Sequence, residues 1–186
     1  MEDREKSFYR GLYNVAKAVS SSLDLKQVLD SIVTSAAWAV SAKACNVRVI
    51  DRQGEELIAT ASYGLSQEYL SKGTVELSKN PLDREVLSGK VVQILDLTTD
   101  PRVQYGEEAK REGLATSLAL PLTVEGKGIG VMRFYTKYQR EFTAEEIDFL
   151  SAVADLSALA IENATVHQAL RMDYEAITYW FTHSGQ

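Results

Sequence analysis

The sequence predicts an α+β fold in which pairs of antiparallel strands lie between helices at the two ends of the chain. Two pairs of β-rich segments are each joined by turn-forming residues, which is typical of hairpins. The segments are 44–51 with 56–63, joined around Asp51 and Gly54, and 116–124 with 127–136, joined by Glu125-Gly126. Apolar residues at spacings of three and four occupy both termini, which indicates amphipathic helices.

Composition is typical of one acidic domain. The 186 residues, 45% hydrophobic and 25% charged, suit a single domain with a modest extension. The formal net charge is -6, and the lysines and arginines are dispersed along the chain. Because nucleic acids and acidic membranes attract a concentrated positive field, we expect neither as a partner.

Cys45 is the only cysteine, and this single thiol excludes several kinds of site. It rules out an intrachain disulfide and a structural zinc site built from cysteines. Lack of disulfides favours a reducing compartment, and the charged first residues, MEDREKSFYR, do not resemble a signal peptide. We therefore expect a cytoplasmic protein.

Two helices are predicted before the first hairpin. Apolar residues from about Glu2 to Ser20 form one helical seam. Asp24 is then a suitable N-cap, with Gln27 three residues later, for a second helix that runs to about Ser41.

Two short helices and a lone strand are predicted between the hairpins. Asn80-Pro81 and Asp100-Pro101 each place a capping side chain before a proline at the first helical position. The helices would end at Gly89 and Gly113, with a strand at Val91–Leu95 between them.

The last predicted helix has a complete start signal. Thr143 is the N-cap and Glu146 lies at the third helical position, where its carboxylate can reach back. The helix can continue to roughly Arg171, about 40 Å at 1.5 Å per residue, which is longer than a small sheet needs. We expect its second half to pack on another helix. Beyond it, the apolar residues of the tail hint at a surface with a neighbour: Tyr174, Ile177, Trp180 and Phe181.

Two arginines interrupt apolar strands, Arg48 in "NVRVI" and Arg133 in "GVMRFY". Burying a guanidinium without a partner costs several kcal/mol. Two interpretations remain open. Each arginine either pairs with a carboxylate on a covering helix, or faces a wet cavity that holds a ligand.

Three stretches carry a resemblance to a known family: "LDLKQVLDSIV" at 23–33, "LALPLTVEGKGIGVMRFY" at 118–135 and "FTAEEIDFLSAVADLSALAIENA" at 142–164. With the order of elements, they resemble the GAF domain of signalling proteins over about residues 23–170. The resemblance implies a GAF/PAS-like central antiparallel sheet of about 5–6 strands. Long N- and C-terminal helices would cover one face, and short helices and loops would enclose a cavity on the other. It also implies that the strands of Arg48 and Arg133 are neighbours.

The resemblance divides the chain into three parts. These are a dimerisation or signalling helix at 1–22, the GAF-like domain at 23–170, and a tail or linker to an output region at 171–186. The implied function is a non-enzymatic sensory module that binds a small effector and relays the signal through its terminal helices in a homodimer. The alternative is a dimerisation scaffold whose cavity is filled by its own side chains.

Departures from the family pattern limit the choice of ligand, and we name no cofactor. Thr136-Lys137 lacks the asparagine that cyclic-nucleotide-binding relatives carry. Cys45, at the entry to the first strand, is expected in the core rather than as an attachment point for a bilin. His167 and His183 lie far along the chain from the expected cavity, and we predict no metal site and no catalytic residues.

The predicted ligand-binding residues come from the strand interiors and from the segments that would cover them. Arg48 and Arg133 would form the floor of an anion-reading pocket, and Tyr135 would share a sheet face with Arg133. The remaining candidates lie near the starts of the short helices: Ser78, Asn80, Asp96 and Tyr105.

Overall fold

Six strands form one antiparallel sheet in the order β3-β2-β1-β6-β5-β4. The computed structural model describes residues 2–21 and 24–183. The strands are β1 (Ala44–Ile50), β2 (Glu56–Tyr63), β3 (Val75–Glu76), β4 (Val92–Ile94), β5 (Thr116–Val124) and β6 (Lys127–Thr136). The helices are α1 (Glu2–Ser21), α2 (Leu25–Ala39), α3 (Gln67–Leu70), α4 (Pro81–Leu87), α5 (Gly106–Glu112) and α6 (Ala144–His183), with a 3₁₀ turn at Leu77–Lys79.

Helices α2 and α6 cover one face of the sheet, and α1 packs on these two helices. Alternate residues of the central strands, among them Leu120, Met132 and Phe134, point into this layer and are fully buried. They pack against Leu29 and Ile32 of α2. This layer holds the main hydrophobic core.

The short helices and their connections cover the other face. Leu82 of α4 and Ala109 of α5 pack with Ile94, Leu114 and Tyr135 in a second, smaller cluster. The α+β class, the antiparallel sheet and the coverage of both faces are therefore as predicted. Strand β1 lies beside β6, so the strands of Arg48 and Arg133 are neighbours.

The local start and turn signals are confirmed. Asp24 accepts a hydrogen bond from the Gln27 amide at 3.2 Å. Glu125 and Gly126 both have positive φ, 50° and 79°, as a two-residue hairpin turn of type I′ requires. At the start of α6 the Glu146 carboxylate accepts from the Thr143 amide at 2.9 Å, and the Thr143 hydroxyl accepts from the Glu146 amide at 3.3 Å.

The helix predicted to begin at Pro101 begins instead at Gly106. Asp100 does not cap a helix, because its carboxylate accepts from the backbone and guanidinium of Arg102 in a turn. The predicted end at Gly113 is correct, with φ of 69°. Helix α2 ends at Ala39, two residues before Ser41. The short elements α3 and β3 were not predicted, because so few residues show no periodicity.

Helix α6 extends well beyond the predicted end at Arg171. It has 40 residues, which corresponds to about 60 Å. Its first half is a core helix, with Leu150, Val153 and Ala158 fully buried, whereas the residues from Thr165 to Glu175 are exposed. Tyr174 is exposed as expected, and the side chains of Ile177, Trp180 and Phe181 lie outside the described residues.

By length and composition alone, α6 over Ala144–Glu175 is the one described helix that meets the criteria for crossing a membrane. Within its most apolar 18-residue stretch, 44% is buried inside the fold. The core helix of a globular domain meets the same criteria, and the burial of Leu150 and Val153 explains the apolar composition here.

We expect Glu146→Ala to lower the free energy of unfolding by about 3 kcal/mol, because it leaves Arg140 and the Thr143 amide without their carboxylate partner. Glu146 is 1% exposed and lies 2.8 Å from Arg140. Urea denaturation measures the change. The matched control is Glu145→Ala on the exposed side of the same turn, expected within about 0.5 kcal/mol of the wild type. Equal stability of the two variants would contradict this assignment.

Candidate functional site

The register of β1 and β6 gathers polar side chains on the face opposite α6. Asn46 lies opposite Arg133, and Arg48 lies opposite Val131. Because side chains alternate along a strand, Asn46, Arg48, Arg133 and Tyr135 share this face. Cys45 lies on the other face in the helix-side core, where burial raises the pKa of its thiol.

A cavity lies between this sheet face and the covering segments. Its floor comes from β1 and β6, and its cover comes from α3, α4 and the connections around residues 72–75 and 102–105. The free volume of the cavity is about 40 Å³, which is enough for a few water molecules. Anything larger than a few non-hydrogen atoms therefore requires the cover to move.

Arg133 is tied to the cover by an ion pair. Its Nη2 lies 2.5 Å from Oδ1 of Asp83, which belongs to α4 and is 3% exposed. Burial disfavours the charged guanidinium, but Asp83, then Tyr135 and Tyr69, outweigh it and raise the pKa of Arg133. The Nε atom of Arg133 is buried and has no hydrogen-bond partner among the described residues.

Arg48 has no carboxylate partner among the residues that the structure describes. Its residue is 9% exposed, and its Nη1 donates to the backbone oxygen of Leu57 at 3.1 Å. Its Nη2 is buried without a partner in the described part of the chain. The ion-pair interpretation thus holds for Arg133, while Arg48 keeps a free donor at the cavity.

Lys72 lies at the edge of the cavity against two aromatic rings. Its Nζ is 3.3 Å from the centroid of the Tyr69 ring and 5.3 Å from that of Tyr105. Burial, followed by the positive fields of Arg48 and Arg133, lowers the pKa of Lys72 from 10.5 to about 7. Burial also raises the pKa of the Tyr69 hydroxyl.

A small number of polar bonds fasten the cover. The Tyr105 hydroxyl donates to the Thr74 carbonyl at 2.9 Å. The Glu112 carboxylate accepts from the Ser66 amide at 2.8 Å and from its hydroxyl at 2.6 Å, which joins α5 to α3. These bonds lie at the partly exposed rim of the domain, where local opening costs less than it does in the core.

The far end of α4 rests directly on β6. A Cβ atom at Gly128 would lie 2.3 Å from the backbone oxygen of Leu87, so only glycine permits this approach. The Gly128 end of β6 in turn lines a surface groove together with Ile161 and Thr165 of α6. The cover and the last helix therefore both contact the same end of β6.

Five of the seven predicted ligand-binding residues line the cavity: Arg48, Asn80, Tyr105, Arg133 and Tyr135. Asn80 also caps α4, since its side chain accepts from the Asp83 amide at 3.2 Å. Ser78 and Asp96 are not among the lining residues. Ser78 is exposed, and Asp96 accepts from the amide and hydroxyl of Thr98 and from Gln139.

Sequence reasoning missed six polar lining residues: Asn46, Tyr69, Lys72, Asp83, Arg102 and Gln104. Asn46 had a usable signal, because it stands two residues before Arg48 and so shares its sheet face. Asp83 stands at the third position of a predicted helix, where an acidic residue is expected because it stabilises the helix N-terminus. Nothing in the sequence around Lys72 indicates its position.

Within the described ranges, no group of three or more His, Cys, Asp or Glu side chains is placed to hold a metal ion. The cavity wall instead offers guanidinium, amide and phenol groups. Such groups bind and orient a molecule by hydrogen bonds and charge.

The family model for the GAF domain matches residues 22–162. Since this match covers well over half of the sequence, the chain belongs to the GAF domain family. Domains of this family are generally sensory or regulatory, and this chain is a sensory signalling domain.

One sensor protein is similar to this chain in sequence, and solved structures share its fold. A methyl sulfide methyltransferase-associated sensor of Methanosarcina acetivorans is 26% identical over 162 residues, which is 84% of this chain and 16% of that protein. The chain thus spans under a fifth of the length of this relative. The GAF domain of a Coxiella burnetii phosphoenolpyruvate-protein phosphotransferase superposes with a TM-score of 0.78 at 20% identity, over 88% of this chain and 98% of that one. A methyl-accepting chemotaxis protein fragment gives 0.69 at 19% identity, over 83% and 99%.

We expect the stability of the fold to rise with pH above about 7 through Lys72. The unfolded chain holds a proton on Lys72 up to about pH 10.5, whereas the folded chain holds it only up to about pH 7. Between these values the unfolded state binds up to one more proton, so raising the pH favours the folded state. Lys72→Met should remove this part of the slope.

Urea denaturation at several pH values between 7 and 10 measures this slope for each variant. Lys127→Met, at the exposed β5–β6 turn, serves as the control and should keep the wild-type slope. An unchanged slope in Lys72→Met would show that Lys72 is charged in the folded protein throughout this range.

Proposed function

We propose that this chain is a cytoplasmic, non-enzymatic sensory domain that binds a small effector in the cavity between the sheet and α4. The bound effector shifts the packing of the cover, and the terminal helices relay the shift to a second copy or to an attached output. The observation that carries the proposal is the buried Nη2 of Arg48, an unpartnered charged donor on the cavity wall. Such a group costs free energy unless something occupies the cavity.

The cover supports the proposal because it resists opening far less than the core does. Its polar fastenings, Tyr105 to Thr74 and Ser66 to Glu112, lie at partly exposed positions. A ligand that prefers one arrangement of these segments shifts their equilibrium by the difference between its two affinities.

The relay is supported by the shape of α6. Its second half is exposed and carries large apolar side chains, among them Val166, Leu170 and Met172. Helix α1 adds the exposed rings of Tyr9 and Tyr13. An unsupported helix with exposed apolar side chains is stabilised by a partner helix, which a homodimer supplies.

The alternative function is a dimerisation scaffold without a ligand. The small free volume of the cavity and the internal ion pair of Arg133 favour this reading. The two functions differ in whether any small molecule stabilises the fold.

A thermal-denaturation screen with a metabolite library distinguishes the two functions. A true effector present at a hundredfold its dissociation constant should add about 2.7 kcal/mol to the free energy of unfolding. Any hit should lose its effect in Arg48→Gln and keep it in Arg52→Gln, which changes an exposed arginine at the β1–β2 turn. If no compound raises the melting temperature, the scaffold is the correct function.

Sedimentation equilibrium tests the dimer. Leu170→Glu, at a position that is 64% exposed on α6, should raise the dimer dissociation constant about tenfold or more, because it places a charge in an apolar contact. Ile58→Glu is the control, since Ile58 is also an exposed apolar residue (48%) but lies on β2. Identical association of both variants and the wild type would exclude α6 from the interface.

A further inference from the structure

The cavity wall carries an excess of positive charge. Four basic side chains line it, and one of these, Arg102, is paired outside with Asp100 through contacts of 2.6 and 3.0 Å. The other three are Arg48, Lys72 and Arg133. Among the lining residues Asp83 is the one carboxylate that faces them. Two guanidinium groups face this one acid, and Lys72 adds a third positive charge below about pH 7, so the cavity favours the entry of a further negative charge.

The unpartnered donors belong to the same basic groups. Nη2 of Arg48 and Nε of Arg133 are buried and have no partner in residues 2–21 and 24–183. A guanidinium presents its donors as a planar fork that matches the two oxygens of a carboxylate or phosphate group. A neutral carbonyl could accept one of these bonds, but it would leave the charge excess unbalanced.

Asp83 is already an internal anion beside Arg133. Its Oδ1 lies 2.5 Å from Arg133, and α4 carries it into the cavity. A second anion on Arg133 competes for the same guanidinium and repels the Asp83 carboxylate at short range. The entry of an anion therefore weakens the bond that holds α4 against the sheet.

We infer that the effector of this domain is a small molecule with a carboxylate or phosphate group, which binds Arg48 and Arg133, displaces Asp83 and thereby releases α4. This inference rests on the proposed function and adds the ligand class and the switch. Below about pH 7, Lys72 contributes further positive charge at the edge of the cavity. The small free volume limits a ligand that fits without displacement to about the size of acetate, and larger anions require the release of α4.

Calorimetric titration with matched pairs of probes tests the ligand class. Acetate and malonate are compared with acetamide and malonamide, and inorganic phosphate is added as a third anion. Ionic strength is held constant with sodium chloride, because salt screens charge attraction. We expect the acids or phosphate to bind and the neutral amides not to bind.

Variants of the intact chain test the residues. Arg48→Gln and Arg133→Gln should weaken the best anion about tenfold or more, since each removes a charged hydrogen bond, while the exposed control Arg52→Gln leaves it unchanged. Asp83→Asn should bind the anion more tightly, because it removes the internal competitor. Circular dichroism confirms folding, and Arg48→Gln remains informative if the Arg133 variant unfolds, since Arg48 has no carboxylate partner.

Hydrogen exchange measures the release of α4. The backbone amides of residues 82–87 should exchange faster when malonate or phosphate is bound, although a bound ligand generally slows exchange. Three results would each overturn the inference. They are binding of acetamide or malonamide as tight as that of the acids, weaker anion binding in Asp83→Asn, and slower exchange in α4. A neutral ligand found in the library screen would leave the proposed function standing, whereas failure of every compound would remove both.

Discussion

One ion pair connects the sheet to its cover. Arg133 interrupts the apolar run of β6, so its charge needs a partner inside the fold, and Asp83 reaches it from α4. Asn80 and Pro81 place the start of α4 at the position from which the third helical residue meets the guanidinium. This contact, together with the buried side chains of Leu82 and Val86, holds α4 over the cavity.

Charges that are only structural tend to be balanced, and those of this cavity are not. Arg140 and Glu146 form a complete pair at the start of α6, with backbone bonds satisfying the carboxylate. On the other face Arg48 has only a carbonyl partner among the described residues, and burial, followed by the nearby guanidinium groups, lowers the pKa of Lys72. The helix face of the sheet thus supplies stability, whereas the cavity face leaves buried donors without partners in the described part of the chain.

The sequence predicts the elements with clear local chemistry and fails where a tertiary contact decides. Caps and turns at Asp24, Asn80, Thr143 and Glu125-Gly126 act through neighbours three residues away, so the sequence reveals them. Asp100 looks like a cap too, but Arg102 competes for its carboxylate. Arg48 and Arg133 were identifiable because they break an apolar pattern. Lys72 and Asp83 lie 24 to 61 residues away from these arginines in sequence, and only the fold brings them together.

The glycine at position 128 fixes how closely α4 approaches the sheet. The backbone of Leu87 rests against it with no side chain between, whereas the opposite end of α4 is held to the sheet through a charge. A side chain at position 128 would therefore push the backbone of α4 away from β6, at the end of the strand that borders a groove shared with α6.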